Sequence, residues 1–289
     1  MGDPAACIGY FCAYTPWWIC RYPCLAITYC IVRYSSITDK GSDVMEASPR
    51  KSIKQQGVSI ITCTNRQGYA GNLFKNYSRQ QHPRKELIII VNNDKIPLSP
   101  YQRLAKKHKN VQVFRVPGHQ SLGACLNYAV RKAKYSYIAK FDDDDYYAPY
   151  YLTDSLQAFK RTKADIIGKR AHYMYLRGSK TLILRFPQDE NRPATKLPGA
   201  TLVIKRDVLN KVQFPNQSVG EDDLFCVRSK RKGYKVYSAG KYNFVAIRRK
   251  NSSNHTWIIS DKELIAHHKK IPNVKNYKRF AQRKPKDVL

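Results

Sequence analysis

Acidic residues are scarce in this chain: 21 Asp and Glu stand against 52 Lys and Arg, a formal net charge of +31. Such an imbalance implies a polyanionic neighbour, whether nucleic acid, an anionic membrane or wall polymer, or a phosphorylated substrate. No CxxC pair occurs, which argues against a zinc ribbon, and no internal repeat is present. Five of the eight cysteines (Cys7, Cys12, Cys20, Cys24 and Cys30) fall in the first thirty residues. The other three, Cys63, Cys125 and Cys226, are isolated in apolar contexts and read as reduced core thiols of a cytoplasmic protein. No helix-turn-helix, zinc-finger or RNP-like motif supports reading of a nucleic-acid sequence.

A long uninterrupted apolar run is missing too. Residues 4–32 are apolar and aromatic but broken by Arg21, Pro16 and Pro23, so each uncharged piece falls short of the roughly 20 residues of a membrane span. No basic n-region or clean cleavage site marks a signal peptide. Two readings stand for this stretch: a membrane-associating or poorly ordered extension, and a segment outside the natural domain. Residues 1–56 are therefore expected to form an extension and linker, residues 57–250 the folded domain, and residues 251–289 a basic C-terminal segment. The 43% of apolar residues suffice for a substantial core.

Against the shortage of acids, Asp142, Asp143, Asp144 and Asp145 follow one another directly in FDDDDYY. Their mutual repulsion is costly unless a cation sits among them, and carboxylate oxygens suit a hard divalent ion such as Mn2+ or Mg2+. The plainer reading is an acidic turn capping the next helix. An EF-hand loop is disfavoured, because Tyr146 and Tyr147 stand where a further ligand and the turn glycine belong.

Hydrophobic patterning supports the site reading. Short apolar strands are expected over 58–63, 86–91, 111–116 and 137–141, alternating with helices over 72–81, 101–107 and 122–133. That alternation predicts an α/β fold with a mainly parallel sheet. Ligands of such sheets bind beyond the carboxyl ends of the strands, so Thr64-Asn65-Arg66, Asn92-Asn93-Asp94 and Asp142–Asp145 should converge on one crevice. Later segments predict a helix over 151–161, strands near 165–168, 172–176, 181–186 and 199–205, and helices over 206–212 and 220–232. Acids open the last of these in GEDD, where helix capping worth roughly 0.3 to 1 kcal/mol is the alternative to a functional role.

The ordered series VSIITCTNR, QQHPRKELIIIVNND, SLGACLNYAV, YIAKFDDDDYYAPYYL and GEDD resembles the motif series of family 2 glycosyltransferases with the GT-A fold. The resemblance spans roughly residues 57–233. It implies a metal-dependent, inverting transfer of a sugar from a nucleotide-diphosphate donor to an acceptor hydroxyl, with Mn2+ or Mg2+ on the diphosphate. By the same resemblance Asp142 and Asp144 form the DxD pair and bind the metal. Thr64, Asn65, Arg66, Asn93, Asp142 and Asp143 contact the donor, Asp222 is the general base, and Glu221 is the alternative base. His255, in NHTW, falls where some GT-A enzymes bring a histidine back to the metal.

Two departures stand out. Asn92-Asn93 replaces the aspartates common after the third motif strand, and Leu126 precedes Asn127 where relatives often carry arginine. KFDDDDYYAP with the later NHTW resembles a bacterial subset that includes spore-coat maturation glycosyltransferases, which implies a role in surface, wall or spore-coat polysaccharide. The basic surface suits an anionic acceptor or peripheral attachment to a membrane. Two alternatives from other classes remain: a non-catalytic polyanion-binding protein on a GT-A scaffold, and a metal-dependent nucleotidyltransferase. For the latter, TCTNRQGYAGN lacks the expected basic, glycine-rich phosphate loop.

Overall fold

A computed structural model describes Ser52, residues 55–250 and residues 259–285. All of these fall within the unit Pro49–Leu289. The N-terminal extension over residues 1–50 and the segment holding His255 lie outside the described residues.

Val58–Thr64 (β1) and Lys85–Val91 (β2) are buried along nearly their whole length, β2 through the continuous apolar run Leu87–Val91, and residues buried without alternation are covered on both faces. They pair in parallel, Ile60 opposite Leu87 and Thr64 opposite Val91. Between them Ala70–Arg79 (α1) makes the crossover; Ser99–Ala105 (α2) leads to Val111–Arg115 (β3), and Leu122–Lys132 (α3) to Tyr137–Lys140 (β4). β3 and β4 are parallel to β2 and β1 respectively. The strand then leaves the sheet: Tyr146–Tyr147 (β5) is followed by Tyr151–Thr162 (α4), Ile166–Gly168 (β6), His172–Leu176 (β7), Thr181–Arg185 (β8) and Arg192–Pro193 (β9). Val203–Lys205 (β10), Arg206–Leu209 (α5), Glu221–Arg231 (α6), Val236–Ser238 (β11) and Phe244–Arg248 (β12) complete the elements up to residue 250. Beyond it lie Asp261–His267 (α7), Lys269–Ile271 (β13) and Tyr277–Ala281 (α8).

The main sheet has the order β3-β2-β1-β4-β10-β6-β11-β9, mixed because β10 runs antiparallel to both β4 and β6. On one side Leu73, Phe74, Tyr101, Leu156 and Phe159 from α1, α2 and α4 pack over Ile60 and Ile89. On the other, Leu126, Val208 and Phe225 from α3, α5 and α6 cover Ile61, Ile88 and Ile138. Each such fully buried side chain contributes about 1.5 to 3 kcal/mol.

A second sheet, ordered β13-β8-β7-β12-β5, was not anticipated from the sequence. Its β5 is only two residues long and has no period to read, yet Tyr146 and Tyr147 pair with Val245 and Phe244. The aspartates therefore occupy the crossover between the two sheets, between β4 in one and β5 in the other. The basic C-terminal residues also take part: Lys269–Ile271 pairs antiparallel with β8, and Ala281 is buried.

The strand expected over 199–205 is corrected. Gly199–Thr201 is a turn of 3-10 helix, and only Val203–Lys205 is strand. Pro198 precedes the turn, and the Gly199 amide is taken by a side chain of α6 instead of by a sheet partner. The helix expected over 206–212 likewise stops at Leu209.

Candidate active site

The parallel strands β1, β2 and β4 all end on one side, and their polar carboxyl termini meet there. Cys63, Thr64, Asn65, Arg66, Asn92 and all four aspartates line a cavity of about 470 Å3 with Met174, Ile247 and Arg248 of the second sheet. Of the expected convergence, Thr64-Asn65-Arg66, Asn92 and the four aspartates meet here, whereas Asn93 and Asp94 do not line the cavity.

The four aspartates have four different environments. Asp143 is buried, accepting a hydrogen bond from Thr64 Oγ1 at 2.6 Å and an ion pair from the Arg66 guanidinium. Asp144 is partly buried and takes the other arm of the same arginine, Nη1 to Oδ2 at 2.8 Å. Arg66 thus bridges two successive carboxylates, as its planar fork allows and a lysine would not. Asp145 turns inward, and its Oδ1 accepts the Ile247 amide of β12 at 2.8 Å. Burial and the neighbouring Asp144 and Asp142 hold its pKa well above the usual carboxylate range. Asp142 is the most exposed, and its Oδ1 receives Lys140 Nζ at 2.6 Å.

Backbone polarity in this turn is also satisfied, which fixes its shape. Asn72 Nδ2 donates to the carbonyls of Asp143 and Asp145, and Asn76 Nδ2 to that of Asp145. The Asp142 amide donates to the Tyr147 hydroxyl, which itself donates to the Ala200 carbonyl at 2.7 Å. Phe141 stacks face to face on Tyr147, with ring centroids 3.7 Å apart.

The GED acids open α6, and Gly220 before them has φ +72, the left-handed region that glycine enters without strain. Asp222 accepts the Gly199 amide on Oδ2 at 2.6 Å and the Asp223 amide on Oδ1 at 2.8 Å. Two backbone donors fix its orientation. Glu221 is only 5% exposed, and its pKa is pushed up to about 7, chiefly by burial, with Asp222 and Asp142 adding and Lys140 opposing. Lys140, 4% exposed, is the link between the acidic turn and α6. Burial alone would lower its pKa, but Asp142, Glu221 and Asp222 raise it above its ordinary value, so it remains a cation.

Asn93, expected to contact the donor, lies in the loop after β2. Its Nδ2 donates to the Asn65 carbonyl and its Oδ1 accepts the Lys95 amide, so it shapes the loop after β2. Asn65 is exposed at the cavity rim. Sequence reasoning missed Lys140, Asn72 and Asn76. A lysine inside the apolar strand YIAKF was the one available signal, since a buried lysine needs acids beside it.

Among the described residues no group of three or more His, Cys, Asp or Glu forms a ready metal cluster. The donor set is nevertheless of the right kind. Asp142 and Asp144 offer hard carboxylate oxygens, each with one oxygen held by a protein cation and the other without a hydrogen bond.

Comparison with known proteins agrees with this architecture. The family model described as Glycosyl transferase family 2 matches residues 58–215, more than half of the chain. A comparison with curated proteins found no match. Among solved structures, TarS of S. aureus (residues 1–349, in complex with UDP-GlcNAc) superposes with a TM-score of 0.55 at 20% identity, covering 71% of this chain and 62% of that TarS fragment. The mannosyltransferase PcManGT of Pyrobaculum calidifontis, in complex with GDP-Man and Mn2+, gives 0.56 at 15% identity, covering 70% and 60%. The matched part is thus under two thirds of either relative's length. These likenesses concern the fold, which is GT-A. With the family match over β1 to the loop before α6, they establish that the chain belongs to glycosyl transferase family 2.

Proposed function

We propose that the cavity beyond β1, β2 and β4 binds a nucleotide-diphospho-sugar and that the chain transfers its sugar, with inversion, to an acceptor hydroxyl. The observation that carries this reading is the connection of the acidic turn to the GED acids through one buried lysine, which joins a donor site to a candidate base. TarS with UDP-GlcNAc and PcManGT with GDP-Man and Mn2+ support donors of this class.

Thr64, Asn65 and Arg66 sit where the nucleotide diphosphate would lie, and Asp143, held by Thr64 and Arg66, orients that loop rather than the donor itself. Asp142 and Asp144 would hold a divalent ion, Mn2+ or Mg2+, through their remaining oxygens. When bound, that ion supplies positive charge to the departing diphosphate. Lys140 adds a fixed positive charge beside Asp142. Asp222 takes the proton from the acceptor hydroxyl, its carboxylate being fixed in place by the amides of Gly199 and Asp223. Glu221 serves Lys140 as a buried counter-charge and is the alternative base. His255 is proposed as a further metal ligand from its motif alone.

The boundaries 1–56, 57–250 and 251–289 remain proposals, as do peripheral membrane attachment and work on surface, wall or spore-coat polysaccharide. No helix among the described residues is long and apolar enough to cross a membrane. Release of nucleoside diphosphate from a panel of UDP-, TDP-, GDP- and CDP-sugars with Mn2+ or Mg2+ tests the assignment. Turnover of one donor class is expected, and its absence with every donor and both metals would contradict it.

A further inference from the structure

A second cavity, about 910 Å3, is larger than the one lined by the aspartates. It opens beside α3, between the loop after α5 and the C-terminal half of α6. Six cations line it, Arg115, Arg131, Lys211, Arg228, Arg231 and Lys232, and no acid does. None of the six forms an ion pair among the described residues. Part of this charge has a local explanation. Arg131 ends α3, and Arg228 and Arg231 end α6, where cations suit the helix dipole. Arg115 is held by the loop after β2, donating to the carbonyls of Asn93, Asp94 and Ile96, and Lys232 Nζ donates to the Lys211 carbonyl. The remaining cations, Arg131, Lys211, Arg228 and Arg231, line one concavity as like charges, which repel unless an anion enters.

The floor is partly apolar, with Pro117, Ala124 and Phe214, and Asn127 ties α3 to it by exchanging hydrogen bonds with the Phe214 backbone. A volume within the roughly 300–1,000 Å3 of ligand pockets admits a discrete ligand, whereas a bilayer surface needs a flat or convex basic face. Tyr128 is the aromatic of the wall besides Phe214, but Phe114 meets its edge and Arg131 and Lys132 cover it. It is a poor platform for stacking bases, so a single-stranded nucleic acid fits less well than a chain bearing phosphates without bases.

The basic cavity also adjoins the donor site. Ser121 Oγ donates to Asn216 Oδ1 at 2.6 Å, and the Leu122 amide to Ser218 Oγ at 3.1 Å. Asn216 lines the basic cavity; Leu122 and Ser218 line the acidic one. These contacts form a seam between the two. We infer that the basic cavity is a docking subsite for a phosphate-bearing stretch of the acceptor, which reaches the aspartates across the Ser121–Ser218 seam. This rests on the sugar-transfer reading for the identity of the occupant, though not for the anion site itself.

The test uses the full chain, with inorganic polyphosphate of about ten phosphates as the probe. Arg131→Ala/Arg228→Ala/Arg231→Ala is compared with Lys106→Ala/Lys107→Ala/Lys109→Ala, which removes the same charge from another face. Circular dichroism and nucleoside-diphosphate binding check that both variants keep their fold and donor site. Polyphosphate affinity is expected to fall at least tenfold in the cavity variant and less than twofold in the control, with donor binding unchanged in both. Equal losses in the two variants would reduce the cavity to general charge and overturn the proposal. So would binding of oligo-dT or of vesicles containing phosphatidylglycerol that depends on the cavity residues while polyphosphate binding does not. If no donor binds yet the tenfold difference persists, the sugar-transfer reading fails and the anion site stands.

Discussion

Lys140 Nζ lies 2.6 Å from Asp142 Oδ1, and the lysine is buried while the aspartate reaches the cavity. A charge that is hidden from solvent thereby sets the electrostatics of an exposed carboxylate, and it does the same for Glu221 on α6. Removal of the charge should be felt at both ends. Lys140→Met leaves Asp142 without its ion pair and Glu221 without the cation that opposes its burial, so the variant should lose stability, by up to about 3 kcal/mol on the scale of a broken buried pair. Denaturant unfolding at pH 7 measures this, and the loss should shrink on acidification as Glu221 takes up a proton.

The pH dependence of Glu221 has a definite sign. Its folded pKa of about 7 exceeds the ordinary 4.5, so the folded state holds a proton that the unfolded state releases. Stability from this group is whole below about pH 4.5 and declines as pH rises through 7. Glu221→Gln removes that decline, so the stability of the variant relative to the wild type should increase between pH 4.5 and 7. Thermal melts of both proteins across that window check it.

His172 acts in the opposite direction. Its ring is buried against Phe244, near Arg185, and burial lowers its pKa from 6.5 to about 3. The unfolded chain therefore binds a proton that the folded chain refuses, and stability is lost as pH falls from 6.5 toward 3. His172→Asn should flatten the acid limb of the stability curve, even if it lowers stability at pH 7. Urea midpoints at pH 4 and pH 7 measure the difference.

Gly123 is the tightest point of the seam between the two cavities. A Cβ there would stand 1.8 Å from the Pro215 carbonyl oxygen, a backbone atom, and the Gly123 amide already donates to the Gln217 carbonyl. Gly123→Ala must push the loop after α5 away from α3 and should cost about 1 to 3 kcal/mol. Increased hydrogen exchange in residues 213–218, with β1 and β2 unaffected, is the expected signature.

Much of this architecture is legible in the sequence for a physical reason. β1, β2 and β4 are buried on both faces and so are rich in apolar residues, unbroken from Leu87 to Val91 in β2, and polar residues mark where the strands leave the core. That alone places Thr64, Arg66 and Asp142–Asp145 together. The second sheet was illegible because β5 has two residues and gains its partners from β12, about a hundred residues later. Gly199–Thr201 looked like strand from its composition, but the carboxylate of Asp222 claims the amide that a sheet would need. Asn93 could not be separated from a donor contact by type, since its hydrogen bonds to Asn65 and Lys95 depend on loop geometry.

Asp144 and Asp222 are the residues on which the proposed chemistry divides. Donor binding and sugar transfer should therefore respond differently to them, and the most direct measurement follows both in one preparation. With the donor that the wild type turns over, Asp222→Asn should bind it with near-normal affinity and transfer at least a hundredfold more slowly. Asp144→Ala should lose the metal-dependent part of donor binding. Full transfer by Asp144→Ala, or loss of donor affinity alone in Asp222→Asn, would contradict the assignment.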